Sequence, residues 1–209
     1  MAGTSKYWLK NLFLCVLLSG GNCLLNILVN RILGLPLFLD TLFTLTVTFL
    51  SGPVFGIISA ILTSAVGTFL LPPYMPIYSL YVLCSITGVA LTEVFCRSYK
   101  LRLTATQSAP ADADSGFGTF TALLLLSVVL CLQMSIMGGC IAALIPALVP
   151  IPGYTVSPEN YFKLGLLINN MPVLAAEIIS RLPINIFDRL LSVFGGYGLA
   201  LLIRKLKYE

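Results

Sequence analysis

The chain has 209 residues, of which 58% are hydrophobic and only 10% charged, with a net charge of +4 and a mean hydropathy of +0.99. Soluble domains run at about 45–50% apolar and about 25% charged, so this chain lacks the polar surface of a water-soluble globule. The composition predicts an integral membrane protein and argues against a soluble enzyme, a disordered tail and a nucleic-acid binder. There is no histidine, so no imidazole base or metal ligand is available. No Gly-x-x-x-x-Gly-Lys-Ser/Thr occurs, so the chain has no P-loop for ATP. Six cysteines lie scattered in or beside apolar runs without a Cys-x-x-Cys, which predicts buried free thiols; no metal or cofactor is expected.

Six stretches are apolar enough to cross a bilayer, which takes about 20 residues of helix. The first, 7–33, carries Asn22, Asn26 and Asn30, four apart and so on one helical face. The second, 36–50, is short and places Asp40, Thr44 and Thr48 on one face in the same way. The third, 53–71, continues a ladder of small residues, Gly52, Gly56, Ala60, Ser64 and then Thr68, that predicts close helix packing or a partner interface. Tyr74, Tyr78 and Tyr81 open the fourth stretch, 75–95. A polar loop over 97–118 precedes the fifth, 120–148, which contains the pair Gly138-Gly139.

Residues 158–182 hold Glu159, Lys163, Asn169, Asn170, Glu177 and Arg181, too polar for a lipid-facing span. They are expected to form an interfacial or partly re-entrant helix, with Pro172 as a candidate break. The last span, 184–203, starts with Asn185 and Asp188. The expected fold is therefore all-α, a single transmembrane domain over 1–209 built as a six-helix bundle, with the extra segment before the last span.

Eight of the twelve basic residues fall before span one (Lys6, Lys10), after span four (Arg97, Lys100, Arg102) and at the end of the chain (Arg204, Lys205, Lys207). The positive-inside rule then puts six spans in a cell (inner) membrane with both termini in the cytoplasm. The first span lacks a small-residue cleavage pattern and is expected to stay in the mature protein.

In this orientation the outer half of the bundle collects polar groups from nearly every span. A carboxylate at a helix centre costs about 2.5–3.5 kcal/mol on insertion scales, so such groups need partners or a cavity. They can act as hydrogen-bonding glue between helices, and tyrosines near the edge as an aromatic belt. Taken together they favour a ligand site made of Asn26, Asn30, Asp40, Thr44, Tyr78, Asn169, Asn185 and Asp188. Arg31 is the expected partner of Asp40. Asp40, Glu93, Glu177 and Asp188 come with no Ser/His or Gly-Asp protease motif, and no enzyme is expected.

The run Leu39-Asp40-Thr41-Leu42-Phe43-Thr44, followed by Leu50-Ser51-Gly52-Pro53-Val54-Phe55-Gly56-Ile57-Ile58-Ser59-Ala60, resembles the second and third helices of the substrate-binding S components of energy-coupling-factor (ECF) transporters. The closing stretch Leu182-Pro183-Ile184-Asn185-Ile186-Phe187-Asp188, then Gly195-Gly196-Tyr197-Gly198, is similar to their last helix. The resemblance implies six helices that bind a vitamin at the outer face, energised by a separate transmembrane T component and two ATPase subunits. Riboflavin binders are the branch it resembles most. The same helix pair also resembles sensor regions of membrane histidine kinases, so a small-molecule-sensing or interaction module is the alternative.

Overall fold

A computed structural model describes residues 2–35, 37–69, 76–103, 113–148 and 158–208. These residues form an all-helical bundle with no strand among them. Helix α1 (Ala2–Ile27) runs into a wide π-turn over Leu28–Ile32. An irregular segment leads to α2 (Leu42–Ser51), and α3 (Pro53–Phe69) follows after a single residue. A 3-10 turn (Pro76–Tyr81) opens α4 (Val82–Ser98). Then come α5 (Ala113–Leu148), the short α6 (Pro158–Ile168) and α7 (Val173–Tyr208).

Gly52 joins α2 to α3 with φ of +91°, a conformation that disfavours a side chain, and Pro53 then supplies a preset φ for the first turn of α3. The resulting hairpin packs along α1 in a constant register of forty residues. Ser51 Oγ lies 3.1 Å from Asn11 Oδ1, Cys15 Sγ 3.4 Å from the Phe55 carbonyl, and Ser19 Oγ 3.0 Å from Ser59 Oγ. Cys23 Sγ completes the ladder at 3.9 Å from the Thr63 carbonyl. One small polar contact per helical turn suits a lipid setting, where close approach and interhelical hydrogen bonds hold helices together better than apolar burial does.

The two ends of the bundle differ. Where α2, the C-terminal ends of α4 and α7 and the first half of α5 meet, the interior is apolar: Leu45, Phe49, Leu126, Leu130, Val193 and Tyr197 pack as one core. Phe49 meets the Tyr197 ring edge-on at 5.2 Å. Leu101 and Leu103 of the following segment plug into this core, and the Leu103 amide donates to the Phe49 carbonyl at 3.0 Å. The buried Glu93 anchors the segment by ion pairs to Arg97, at 2.6 Å, and Arg102. The opposite end is hollow and carries polar side chains beside a smaller apolar cluster of Cys84, Ile141 and Ile145.

Four helical stretches are long and apolar enough to cross a membrane: Trp8–Asn30, Ile77–Ser98, Gly116–Pro146 and Val173–Leu206. The other two expected spans differ. Helix α3 has 17 residues and α2 only 10, because residues 33–35 and 37–41 bend through Gly34 (φ +65°) and Leu39 (φ +42°) instead of continuing a helix. The expected interfacial or re-entrant helix over 158–182 is two pieces. It breaks at residues 169–172, and from Val173 the chain is one helix that continues through Pro183 into the last span. Glu177 and Arg181 thus belong to α7. The expected loop 97–118 is helical from Ala113, while its residues 104–112 lie outside the described set, as does Tyr74. Large apolar side chains such as Leu9, Phe13, Phe117 and Leu206 point outward, as a lipid-facing surface requires. Among the described residues the six cysteines are free thiols, five of them buried.

Candidate functional site

A cavity of about 650 Å³ occupies the polar end of the bundle. All seven helices contribute to its wall. Of the residues expected from sequence, Asn26, Asn30, Asp40, Thr44, Tyr78 and Asn185 line it. Ala60 and Ser64 of the small-residue ladder form part of the wall as well.

Asparagines set the shape of one side. Asn22 is fully buried and ties three elements together: its amide nitrogen reaches Thr44 Oγ1 at 2.9 Å and Thr63 Oγ1 at 3.1 Å, and its carbonyl oxygen accepts the Phe43 N–H at 2.9 Å. Asn26 donates to the Phe38 carbonyl at 2.9 Å. Asn30 donates to the carbonyls of Leu37, at 2.9 Å, and Asn26, at 3.3 Å. These bonds satisfy the backbone of the irregular segment before α2 and fix how it enters the bundle. Across the cavity, Asn185 is 2.9 Å from Ser135 Oγ.

That segment presents Asp40. Leu39 sits in the left-handed region, costly for a branched apolar residue, and is held there because its amide donates to Asp188 Oδ1 at 2.7 Å. Arg189 lies beneath. Its guanidinium pairs directly with Asp188, donates to Thr41 Oγ1 at 2.5 Å and stands 3.7 Å from Asp40 Oδ1. Asp188 is completely buried behind the wall, whereas about 45% of the Asp40 side chain is exposed. The cation facing Asp40 is therefore Arg189; the side chain of Arg31, the partner expected from sequence, lies outside the described set.

At the mouth, α6 lies against the first turns of α7 through charge. Arg181 Nη2 is 3.2 Å from Glu159 and 3.8 Å from Glu177, and Lys163 is 3.0 Å from Glu177. The Arg181 guanidinium also lies over the Tyr81 ring, 5.9 Å from its centroid, with Tyr78 a further 6.3 Å away. Partly buried cation–π and ion-pair contacts of this kind give the rim a defined shape.

Two expected site residues stand apart from the cavity. Asn169 is exposed and donates to the Gly165 carbonyl at 2.8 Å, while Asn170 takes φ of +61°; together they end α6, the usual role of amides at a helix C-terminus. Asp188 acts from behind by holding Leu39 and Arg189. In the ladder, a Cβ added at Gly52 would lie 3.2 Å from the Arg102 guanidinium, and one at Gly56 would meet Thr48 and Val89, so those glycines serve contacts inside the chain.

Sequence reasoning missed Arg189, Arg181 and Glu159. The available signal was the adjacent pair Asp188-Arg189 within an apolar run: an acid and a base together at membrane depth compensate each other, and the base deserved equal weight.

No protein family, curated protein or solved structure matches the chain. The case for function rests on the cavity.

Proposed function

We propose that this chain is a membrane-embedded, substrate-binding component for uptake of a vitamin-sized, water-soluble nutrient. The observation that carries the reading is one hollow that gathers Asn26, Asn30, Asp40, Thr44, Tyr78 and Asn185 from elements far apart in sequence. Lipid contact would penalise these groups, whereas a polar ligand uses them. The volume suits a small organic molecule and far exceeds a single ion.

In this reading six crossings, with α2 and α3 as the short pair, leave both termini in the cytoplasm and the cavity open to the outside. The apolar core then lies on the cytoplasmic side. Binding by itself releases free energy and cannot drive net accumulation, so a separate T component and two ATPase subunits supply the work, as the resemblance to S components implies. The glycines that would give a sensing module its partner face are occupied inside the chain, which favours uptake.

Native mass spectrometry of the gently purified chain tests the reading. A co-purifying small molecule is expected, and it should be lost from an Asp40→Ala/Asn185→Ala double variant that keeps its helical content. An empty wild-type chain with an unchanged variant refutes the capture role. Uptake of the identified molecule in cells should rise when T component and ATPases are co-expressed.

A further inference from the structure

The described charges around the cavity do not balance. Among the described side chains of this region, four carboxylates (Asp40, Glu159, Glu177, Asp188) face three cations (Lys163, Arg181, Arg189). At the rim, Glu159 and Glu177 are matched by Arg181 and Lys163. In the depth, Arg189 is in direct contact with Asp188 and reaches Asp40 only at 3.7 Å. Arg189 is thus shared between two carboxylates, and of these Asp40 is the one that opens onto the hollow, with Arg189 beside it in the wall. A carboxylate that only shares a cation with a second one is under-compensated in a low-dielectric setting and favours a further counter-charge.

The amides give an independent sign of the same preference. Asn26 and Asn30 direct their nitrogens at backbone carbonyls, which accept but never donate, so their orientation is fixed. Both amide hydrogens of Asn30 are used in this way. What Asn30 retains for a ligand is carbonyl oxygen, and Asn26 retains its oxygen and one N–H. With Asp40, one side of the hollow therefore offers acceptors. Tyr78, Val82, Met134 and Ile184 supply apolar surface elsewhere.

From these observations we infer that the captured molecule is a small organic cation, an ammonium, amidinium or cationic heterocycle, whose N–H groups meet Asp40 and the oxygens of Asn26 and Asn30. The inference rests on the capture reading and narrows it. An uncharged vitamin such as riboflavin leaves Asp40 with only its share of Arg189, and an anion adds to the imbalance. A metal ion does not fill the hollow, and among the described residues no group of metal-ligating side chains is present.

Thiol labelling of the full chain in nanodiscs tests this. Gly67 lines the cavity, and a Cβ there meets nothing within 4 Å, so Gly67→Cys adds a reporter without crowding. The native thiols are largely buried, and the parent chain gives the background. The reporter is treated separately with cationic (trimethylammonium)ethyl methanethiosulfonate and anionic sulfonatoethyl methanethiosulfonate. Both react with the same thiolate, so their rate ratio is independent of thiol ionisation and reads the local potential. The cation should be favoured, and adding Asp40→Asn should lower the ratio by about tenfold or more, with Asp40→Glu retaining it. Benzamidinium should slow labelling, whereas benzamide, its uncharged isostere, should not. A ratio unmoved by Asp40→Asn, or equal protection by benzamide, overturns the cation assignment and leaves the capture reading standing. If neither reagent reaches the reporter, the hollow is closed to solutes and both readings fall.

Discussion

Gly138 and Gly139 sit side by side in α5, and the same substitution should affect them oppositely. A Cβ at Gly139 would lie 2.6 Å from Ile178 Cγ1 and 3.0 Å from the Ile178 backbone nitrogen and Cα. The side-chain atom can rotate away, but the backbone of α7 would have to retreat by roughly half an ångström to reach ordinary contact near 3.5 Å. Overpacking of this kind costs about 1–3 kcal/mol. A Cβ at Gly138 meets nothing closer than 3.9 Å, on Arg181 and Tyr81. Replacing glycine by alanine inside a helix favours the folded state by up to about 1 kcal/mol at either site, so that contribution cancels in the comparison. Gly139→Ala should therefore be less stable than Gly138→Ala by about 1–3 kcal/mol. For a chain of this size that is roughly 2–12 °C in the unfolding midpoint. Thermal unfolding of both variants in one detergent, followed by near-UV circular dichroism, reads the difference. Equal midpoints, or a more stable Gly139→Ala, would show that α5 and α7 are not in backbone contact at this level, and the α5–α7 packing described above would be wrong.

Arg189→Met strands Asp40 and Asp188 without their cation and should destabilise the chain by about 3–5 kcal/mol; Asp40→Asn with Asp188→Asn in the same background should restore much of it, both read as thermal midpoints. Asn22→Ala removes three hydrogen bonds that join α1, α2 and α3 and should cost about 1–3 kcal/mol, whereas Asn169→Ala, at the exposed end of α6, should change the midpoint little. Tyr197→Leu removes the edge-on ring contact with Phe49, a contact of about 0.5–1.5 kcal/mol, and should speed maleimide labelling of Cys96, a buried thiol of the same core; unchanged labelling would count against that core as the seal of its end of the bundle.

The class of fold was legible because composition alone separates a membrane bundle from a soluble domain, and four long helices fall where apolar runs mark them. Much of the cavity was legible for the same reason: polar residues at membrane depth need a partner or a hollow, and Asn26, Asn30, Asp40 and Asn185 meet in one. The misses have physical causes. Apolar periodicity cannot show that 37–41 is irregular, because that conformation is held from outside by Asn26, Asn30 and Asp188. Nor can polarity tell a helix end from a binding residue: Asn169 has the polarity of a site residue but donates its amide to the Gly165 carbonyl at the end of α6. Glu177 and Arg181 suggested an interface because their partners, Lys163 and Glu159, lie on α6, and pairing across elements is invisible in one dimension.

The contrast between the two ends of the bundle bears on how any captured molecule could leave. At the cavity end side-chain hydrogen bonds and ion pairs, which can be exchanged for water or ligand one at a time, join the helices beside a small apolar cluster of Cys84, Ile141 and Ile145. At the other end they are joined by interlocked apolar side chains and by the Leu103–Phe49 backbone bond. Packed apolar contacts rearrange together or not at all, because partial separation leaves voids that neither lipid nor water fills well. A ligand in the hollow can therefore exchange through the polar mouth without disturbing the core, whereas passage through the far end requires α2, α5 and α7 to part. Binding energy from a few hydrogen bonds and one ion pair, already spread over the mouth, is poorly placed to separate them. In the proposed uptake role the step toward the cytoplasm must then be driven from outside this chain, by force on the bundle as a whole, which is what a dependence on separate energising subunits would mean in physical terms.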